Sequence, residues 1–307
     1  MSYEQYSVID CDGHIVESIT EMAEFMDPHI RKHALEPSRN RQGVFPSLDG
    51  FHFALHQEPT KGERKRETAS NNPPGSGEDW KAFLDKAKMD RAVLFTSEGL
   101  AVGIIQAPKY ATAVCRAYND YVYDRFSRVD DRLHPMALIP MQDPEEAARE
   151  LTRAVKHLGM PGAMLPSTGL PLHLGHEYYR PIYKAAADLD CALGVHGGSC
   201  GAMGLETFTN FTASHVLHHS IPLMVALTSF IYHRVFDDFP NLRMGFLEGG
   251  CGWIGFLLDR MERDENYFAP DDQPKKRPIE YLQDGRILIG CEGSEDMLGY
   301  AASRIGI

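Results

Sequence analysis

The feature that most limits what this chain can fold into is an alternation of short apolar runs, rich in β-branched residues, with longer stretches of helical character. The runs are YSVIDC, RAVLFTS, LHPMALIPM, PGAMLPS, DCALGVHG, LRMGFLEGG and GRILIGCEG. Short apolar runs separated by helical stretches are the pattern of a parallel sheet with crossover helices. The helix signals between the runs are plain. Asp143-Pro144 opens PEEAARELTRAVKHL, which closes at Gly159, and HEYYRPIYKAAADLD precedes the fifth run. The alternation is continuous from Arg91 to Gly290, so residues 1–307 read as a single barrel-type domain. A length of 307 residues suits one large α/β barrel, and a 43% hydrophobic composition supplies a substantial core. Gln57 to Asp79 is polar, rich in Pro and Gly and almost free of apolar side chains, and is expected to be a long surface loop.

Several function classes fall away. A formal charge of −12, from 31 basic and 43 acidic residues, opposes binding to a phosphate backbone, which needs a concentrated basic surface. The segment MSYEQYSVID lacks the basic and apolar regions of a leader, and no 18 apolar residues run together, so a cytoplasmic protein with no membrane partner is expected. The six cysteines (Cys11, Cys115, Cys191, Cys200, Cys251, Cys291) form no CxxC pair, and reduced thiols are expected.

In a (β/α) barrel the chemistry gathers at the C-terminal ends of the strands, so polar residues just past each run carry weight. The first run ends in VIDCDGH, where Asp10, Asp12 and His14 are spaced by two and point to one side of an extended strand. Asp12 and His14 could converge on one ion; Asp12-Gly13 could equally be a simple turn. The fifth run ends in GVHGG, where His196 is either a metal ligand or a hydrogen-bonded core residue. Imidazole and carboxylate together suit zinc, manganese or iron(II). Glu248 in FLEGGCGW and Glu292 in GCEGSED follow the sixth and seventh runs, as a general acid or base or as loop carboxylates. Trp253 and Phe256 follow Glu248 at helical spacing and are expected in the core.

Taken in order, VIDCDGHIVE, DRLHPMALIPMQDPEEAARELTRAV, YYRPIYKAAADLDCALGVHGG and FDDFPNLRMGFLEGGCGWIGFLLDRM resemble the amidohydrolase-related family that includes aminocarboxymuconate-semialdehyde and resorcylate decarboxylases. The resemblance covers nearly the whole chain. It implies a (β/α)8 TIM-like barrel with a divalent ion, zinc first and manganese or iron as alternatives, held by Asp12, His14 and His196. It places His219 where family members carry a histidine ahead of a helix, as a substrate contact or as packing at the helix N-terminus, and Glu248 where the decarboxylases carry a catalytic histidine. The family's further aspartate lies in an S-D-x-P-H stretch on strand eight, which this sequence does not contain. The resemblance therefore implies a chain that stops at Ile307 before an eighth strand, with weak turnover as it stands; Asp296, after the seventh run, is expected to open a helix rather than replace that ligand.

The function this implies is hydrolysis of a small organic acid, ester, lactone or amide by a metal-activated water, preferred because Glu248 replaces the histidine. The alternatives are non-oxidative decarboxylation of an aromatic or unsaturated carboxylate and a degenerate, non-catalytic barrel. A small-molecule substrate is expected, with the metal and Arg180 offsetting its charge and Glu248 or Glu292 moving protons. A homodimer is compatible with the sequence.

Overall fold

The computed structural model describes residues 6–35, 44–46, 75–198, 203–208, 211–268 and 273–306. Every apolar run lies on a strand: β1 (Ile9–Ile15), β2 (Arg91–Thr96), β3 (Leu133–Pro135), β4 (Ala137–Leu138), β5 (Gly162–Pro166), β6 (Ala192–His196), β7 (Arg243–Phe246) and β8 (Ile287–Ile289). Twelve α-helices occur among the described residues: α1 (Ile19–Met22), α2 (Pro28–Leu35), α3 (Gly77–Ala87), α4 (Pro108–Val122), α5 (Pro144–Leu158), α6 (Arg180–Leu189), α7 (Phe211–His218), α8 (Ser220–Tyr232), α9 (Val235–Asp238), α10 (Trp253–Tyr267), α11 (Pro278–Gln283) and α12 (Leu298–Ile305).

All strand pairs are parallel, in the order β1-β2-β3 and β4-β5-β6-β7-β8. There are eight strand segments rather than seven because the third run changes partner. Its first half pairs with β2, and after Pro135, which has no N–H to give, its second half pairs with β5. β1 and β8 end the pairing order, with no ladder between them among the described residues. The sheet nevertheless curls on itself. A Cβ on Gly194 of β6 would stand 2.9 Å from the Phe95 ring of β2, so these strands face each other across the interior. β5 is buried at all its positions, as expected of a strand covered on both faces.

The helices form where their caps dictate. Asp143 caps α5 through Glu146 N at 3.1 Å, Pro144 takes the first turn, and Gly159 ends the helix with φ +69°. Of the polar segment Gln57–Asp79, residues 57–74 lie outside the described residues, and its end is helix rather than loop. Ser76 accepts from Asp79 N at 3.2 Å and starts α3. Trp253 is buried as expected, but Phe256 is 63% exposed on α10. No helix among the described residues is long and apolar enough to cross a membrane.

Candidate metal centre

Asp12 and His14 are two residues apart on β1 and share one direction, while a break in the strand's register separates Asp10 from them. Between Asp10 and Gly13 the register against β2 slips: Asp10 faces Ala92 and Gly13 faces Leu94, so β1 carries one extra residue. Such a bulge separates side chains that strict alternation would hold on one face. Asp10 stabilises it by accepting Asp12 N at 3.0 Å, and so supports the bend instead of joining the cluster. Gly13 is required here, since a Cβ would lie 2.8 Å from both Leu94 Cδ2 and Trp80 Cη2.

His196, at the end of β6, is completely buried. Its Nε2 lies 3.2 Å from Asp12 Oδ1 and 3.2 Å from His14 Nε2. Ligand atoms of Asp12, His14 and His196 all fall within 4.8 Å of one another. The tautomers follow from the neighbours. His14 Nδ1 faces the Thr96 carbonyl at 3.0 Å, and His196 Nδ1 faces the Gly197 carbonyl at 3.2 Å and Glu248 Oε2 at 3.4 Å. Carbonyls and carboxylates only accept, so each neutral ring carries its proton on Nδ1 and presents a bare Nε2. Two imidazole lone pairs and a carboxylate oxygen then point at one another, and Asp12 Oδ1 is buried without a hydrogen bond. A proton on one ring satisfies a single contact; a divalent cation satisfies all three. The spacing also fits, because bonds of about 2.0 to 2.1 Å at tetrahedral angles separate ligand atoms by roughly 3.3 Å.

The two imidazoles differ in their electrostatics. Burial lowers the pKa of His14, and His196 beside it adds to the effect. For His196 burial opposes charge, yet the Asp12 and Glu248 carboxylates outweigh it and raise the pKa. A metal binds the deprotonated ring, so His14 suits an ion as it stands, whereas an ion at His196 takes the place of a proton that the carboxylates favour.

Glu248 follows β7 with φ +63°, a left-handed backbone costly for a residue with a Cβ. This turn aims its carboxyl at His196 and at His219 Nε2, which is 3.6 Å away. Burial raises the Glu248 pKa against the opposing pull of His196. Burial, and then His215, pushes His219 down to about 4, so it is uncharged at neutral pH. Gly197 leaves room for both: a Cβ there would meet Glu248 Oε2 at 2.9 Å and His219 Cδ2 at 3.0 Å.

Two expected residues lie elsewhere. Arg180 is on the outer helical layer, paired with Asp238 at 2.5 Å and lining a groove of about 560 Å³ between α5 and α6. Its guanidinium is engaged by that pair and by the His233 carbonyl, and the structure does not bring it into the triad. Glu292 is exposed after β8; its backbone N–H donates to Glu295, whose carboxylate also accepts Cys251 N at 2.8 Å. Glu295 thus ties the β8 loop to the β7 loop, while Glu292 points to solvent. Asp296 precedes α12 but does not cap it.

Residues not singled out from sequence hold the centre in place. Buried Glu17 accepts Thr96 Oγ1 and the backbone N–H groups of Ser97 (3.2 Å), Glu98 (3.0 Å) and Gly99 (3.4 Å). It fixes the turn after β2 and therefore the Thr96 carbonyl that orients His14. Thr96 ends β2, so the strand-end rule that picked out His196 also points to it. Glu17 carried no such signal.

The chain resembles known proteins in sequence and in fold. Over 183 residues the chain is 26% identical to a 2-amino-3-carboxymuconate-6-semialdehyde decarboxylase of Dictyostelium discoideum, covering 60% of this chain and 50% of that protein. Over 219 residues it is 30% identical to a gamma-resorcylate decarboxylase of Rhodococcus jostii, covering 65% and 64%. The alignments therefore span half to under two thirds of these relatives' lengths. Among solved structures, an amidohydrolase from Mycobacterium avium subsp. paratuberculosis matches with TM-score 0.74 at 18% identity, over 98% of this chain and 87% of that one. A 5-carboxyvanillate decarboxylase from Novosphingobium aromaticivorans, with bound manganese and 3-methoxy-4-hydroxy-5-nitrobenzoic acid, matches with TM-score 0.68 at 20% identity, over 100% and 86%. These likenesses show a shared barrel fold along the chain and lend no support to the expectation that it lacks the eighth strand. Nor do they single out zinc, since the ion in that relative is manganese. The family profile described as Amidohydrolase runs over residues 9–282, from the first ligand-bearing strand past Glu248, and on that match the chain belongs to the amidohydrolase family.

Proposed function

We propose that this protein is a metal-dependent, non-oxidative decarboxylase of a small aromatic or unsaturated carboxylate. This reverses the preference for hydrolysis drawn from the sequence. That preference rested on Glu248 replacing a histidine, whereas the curated relatives quoted above are named as decarboxylases. The observation that carries the proposal is the position of Glu248, whose left-handed backbone holds a carboxyl between His196 and His219 beside the Asp12–His14–His196 triad.

In this reading Asp12, His14 and His196 hold the ion. A divalent ion there supplies positive charge for the oxygens of an anionic substrate, which the displaced Arg180 does not. Glu248 donates its proton to the carbon that bears the carboxylate. The carbon–carboxylate bond then breaks, its electron pair returns to the unsaturated system, and carbon dioxide leaves; Glu248 regains a proton from water. Uncharged His219 holds the Glu248 carboxyl in place. Glu17, through Thr96, keeps His14 facing the triad.

The test supplies manganese-loaded protein with a panel of hydroxybenzoates, esters and lactones. Carbon dioxide release from a hydroxybenzoate is expected, with a loss of at least about 100-fold in kcat for Glu248→Gln at unchanged metal content. Ester or lactone hydrolysis without carbon dioxide release would overturn the proposal.

A further inference from the structure

A second group of imidazoles lies next to this centre and shares no ligand with the triad. His215 and His218 are on α7, and His219 continues the same helical path, with φ −86° and ψ −55°. Residues three and four apart fall on one helical face, so His215 faces both His218 and His219. The ring centroids are 4.8 Å apart for His215–His218, 4.7 Å for His215–His219 and 3.8 Å for His218–His219. One nitrogen from each ring lies within 4.8 Å of the others. His215 is exposed and the other two are half-buried, so an ion can reach the group from solvent.

From this geometry we infer that His215, His218 and His219 form a second metal site, selective for a late first-row divalent ion such as zinc, nickel or copper. Three neutral nitrogen donors bind these ions well. Manganese and magnesium prefer oxygen donors, and the three residues offer no carboxylate. Bringing donors that already lie within 4.8 Å of one another to the roughly 3.3 Å of a tetrahedral site takes only side-chain rotation, since all three rings stand on adjacent turns. The two sites differ in donor chemistry. The triad includes the Asp12 carboxylate and accepts harder ions, whereas the helical site is imidazole alone. They communicate through Glu248, which lies 3.4 Å from His196 and 3.6 Å from His219. The inference concerns metal binding and stands whichever reaction the triad supports.

The experiment strips the full chain of metal with a chelator and titrates it separately with zinc and with manganese, following heat and bound metal. Wild-type protein should take two equivalents of zinc and one of manganese. His215→Gln/His218→Gln should take one equivalent of zinc, and Asp12→Asn/His196→Gln should keep one at the helical site. Should the double variants fail to fold by circular dichroism, His215→Gln alone, altered at an exposed position, should weaken the second zinc equivalent at least tenfold. Wild-type protein that binds a single zinc, or a second zinc whose affinity is unchanged in His215→Gln, would overturn the inference.

Discussion

Replacing Gly197 by alanine adds one methyl group at the point where Glu248 and His219 come closest to the metal triad. The Gly197 backbone is not in the left-handed region, so alanine adopts it without strain and the perturbation is steric alone. The new Cβ would stand 2.9 Å from Glu248 Oε2 and 3.0 Å from His219 Cδ2. Ordinary contact lies near 3.4 Å or beyond, so the two side chains must retreat by roughly half an ångström. Both contacts are with side-chain ends, and the stability cost should stay near the lower end of overpacking, about 1 kcal/mol. The effect on rate is larger in proportion. A displacement of about 1 Å costs on the order of 100-fold, so half of that predicts roughly a tenfold fall in kcat. The nearest atoms the methyl meets beyond its chain neighbours belong to Glu248 and His219, not to Asp12 or His14, and metal content should be unchanged. Steady-state kinetics, metal analysis and a melting curve on the same preparation check all three. A folded, fully metallated Gly197→Ala protein with wild-type kcat would show that the positions of Glu248 and His219 do not matter to the reaction.

Chelation of the metal should lower the melting temperature by the lost binding energy, about 3 to 4 kcal/mol at 100 to 1,000 times the dissociation constant, and Asp12→Asn should abolish most of that response in calorimetry. Glu17→Ala strands the Ser97 and Glu98 N–H groups and the Thr96 hydroxyl in a buried turn, while the Gly99 N–H keeps Thr96 Oγ1 at 2.7 Å, so it should cost about 3 kcal/mol in denaturant unfolding and weaken metal binding through His14. Hydrogen bonds from Arg132 hold the Asp130 carboxyl at about 2, below its ordinary 3.8. The stabilisation from a lowered carboxylate is present above the unfolded value and is lost as pH falls from about 4 to about 2. With Arg132 partly exposed, Asp130→Asn should cost about 1 kcal/mol at neutral pH and only a small fraction of that near pH 2, read from melting curves across that window. Gly159→Ala places a Cβ at φ +69° with no neighbour to meet, so it should destabilise α5 by about 1 kcal/mol from backbone strain alone.

Local chemistry was legible in the sequence wherever one stretch of chain contains the whole cause. Short apolar runs between helical stretches became parallel strands because burial on both faces needs nothing beyond the run itself. Asp143, Pro144 and Gly159 bound α5 because caps act within one turn. Strand ends also indicated where polar side chains would gather, and the structure brings Asp12, His14 and His196 to one point. Only the tertiary structure decided which candidates share that point. Alternation put Asp10 alongside Asp12, and a one-residue bulge sent it to support the turn instead. Arg180 went to Asp238, 58 residues away, and Glu292 to solvent, because an ion pair or an exposed loop depends on what packs opposite. Glu17 acquired its role from the turn after β2, which arrives 79 residues later in the chain. The periodicity of a segment records which of its faces is apolar; the curl of the sheet, set by all the strands together, fixes what those faces meet.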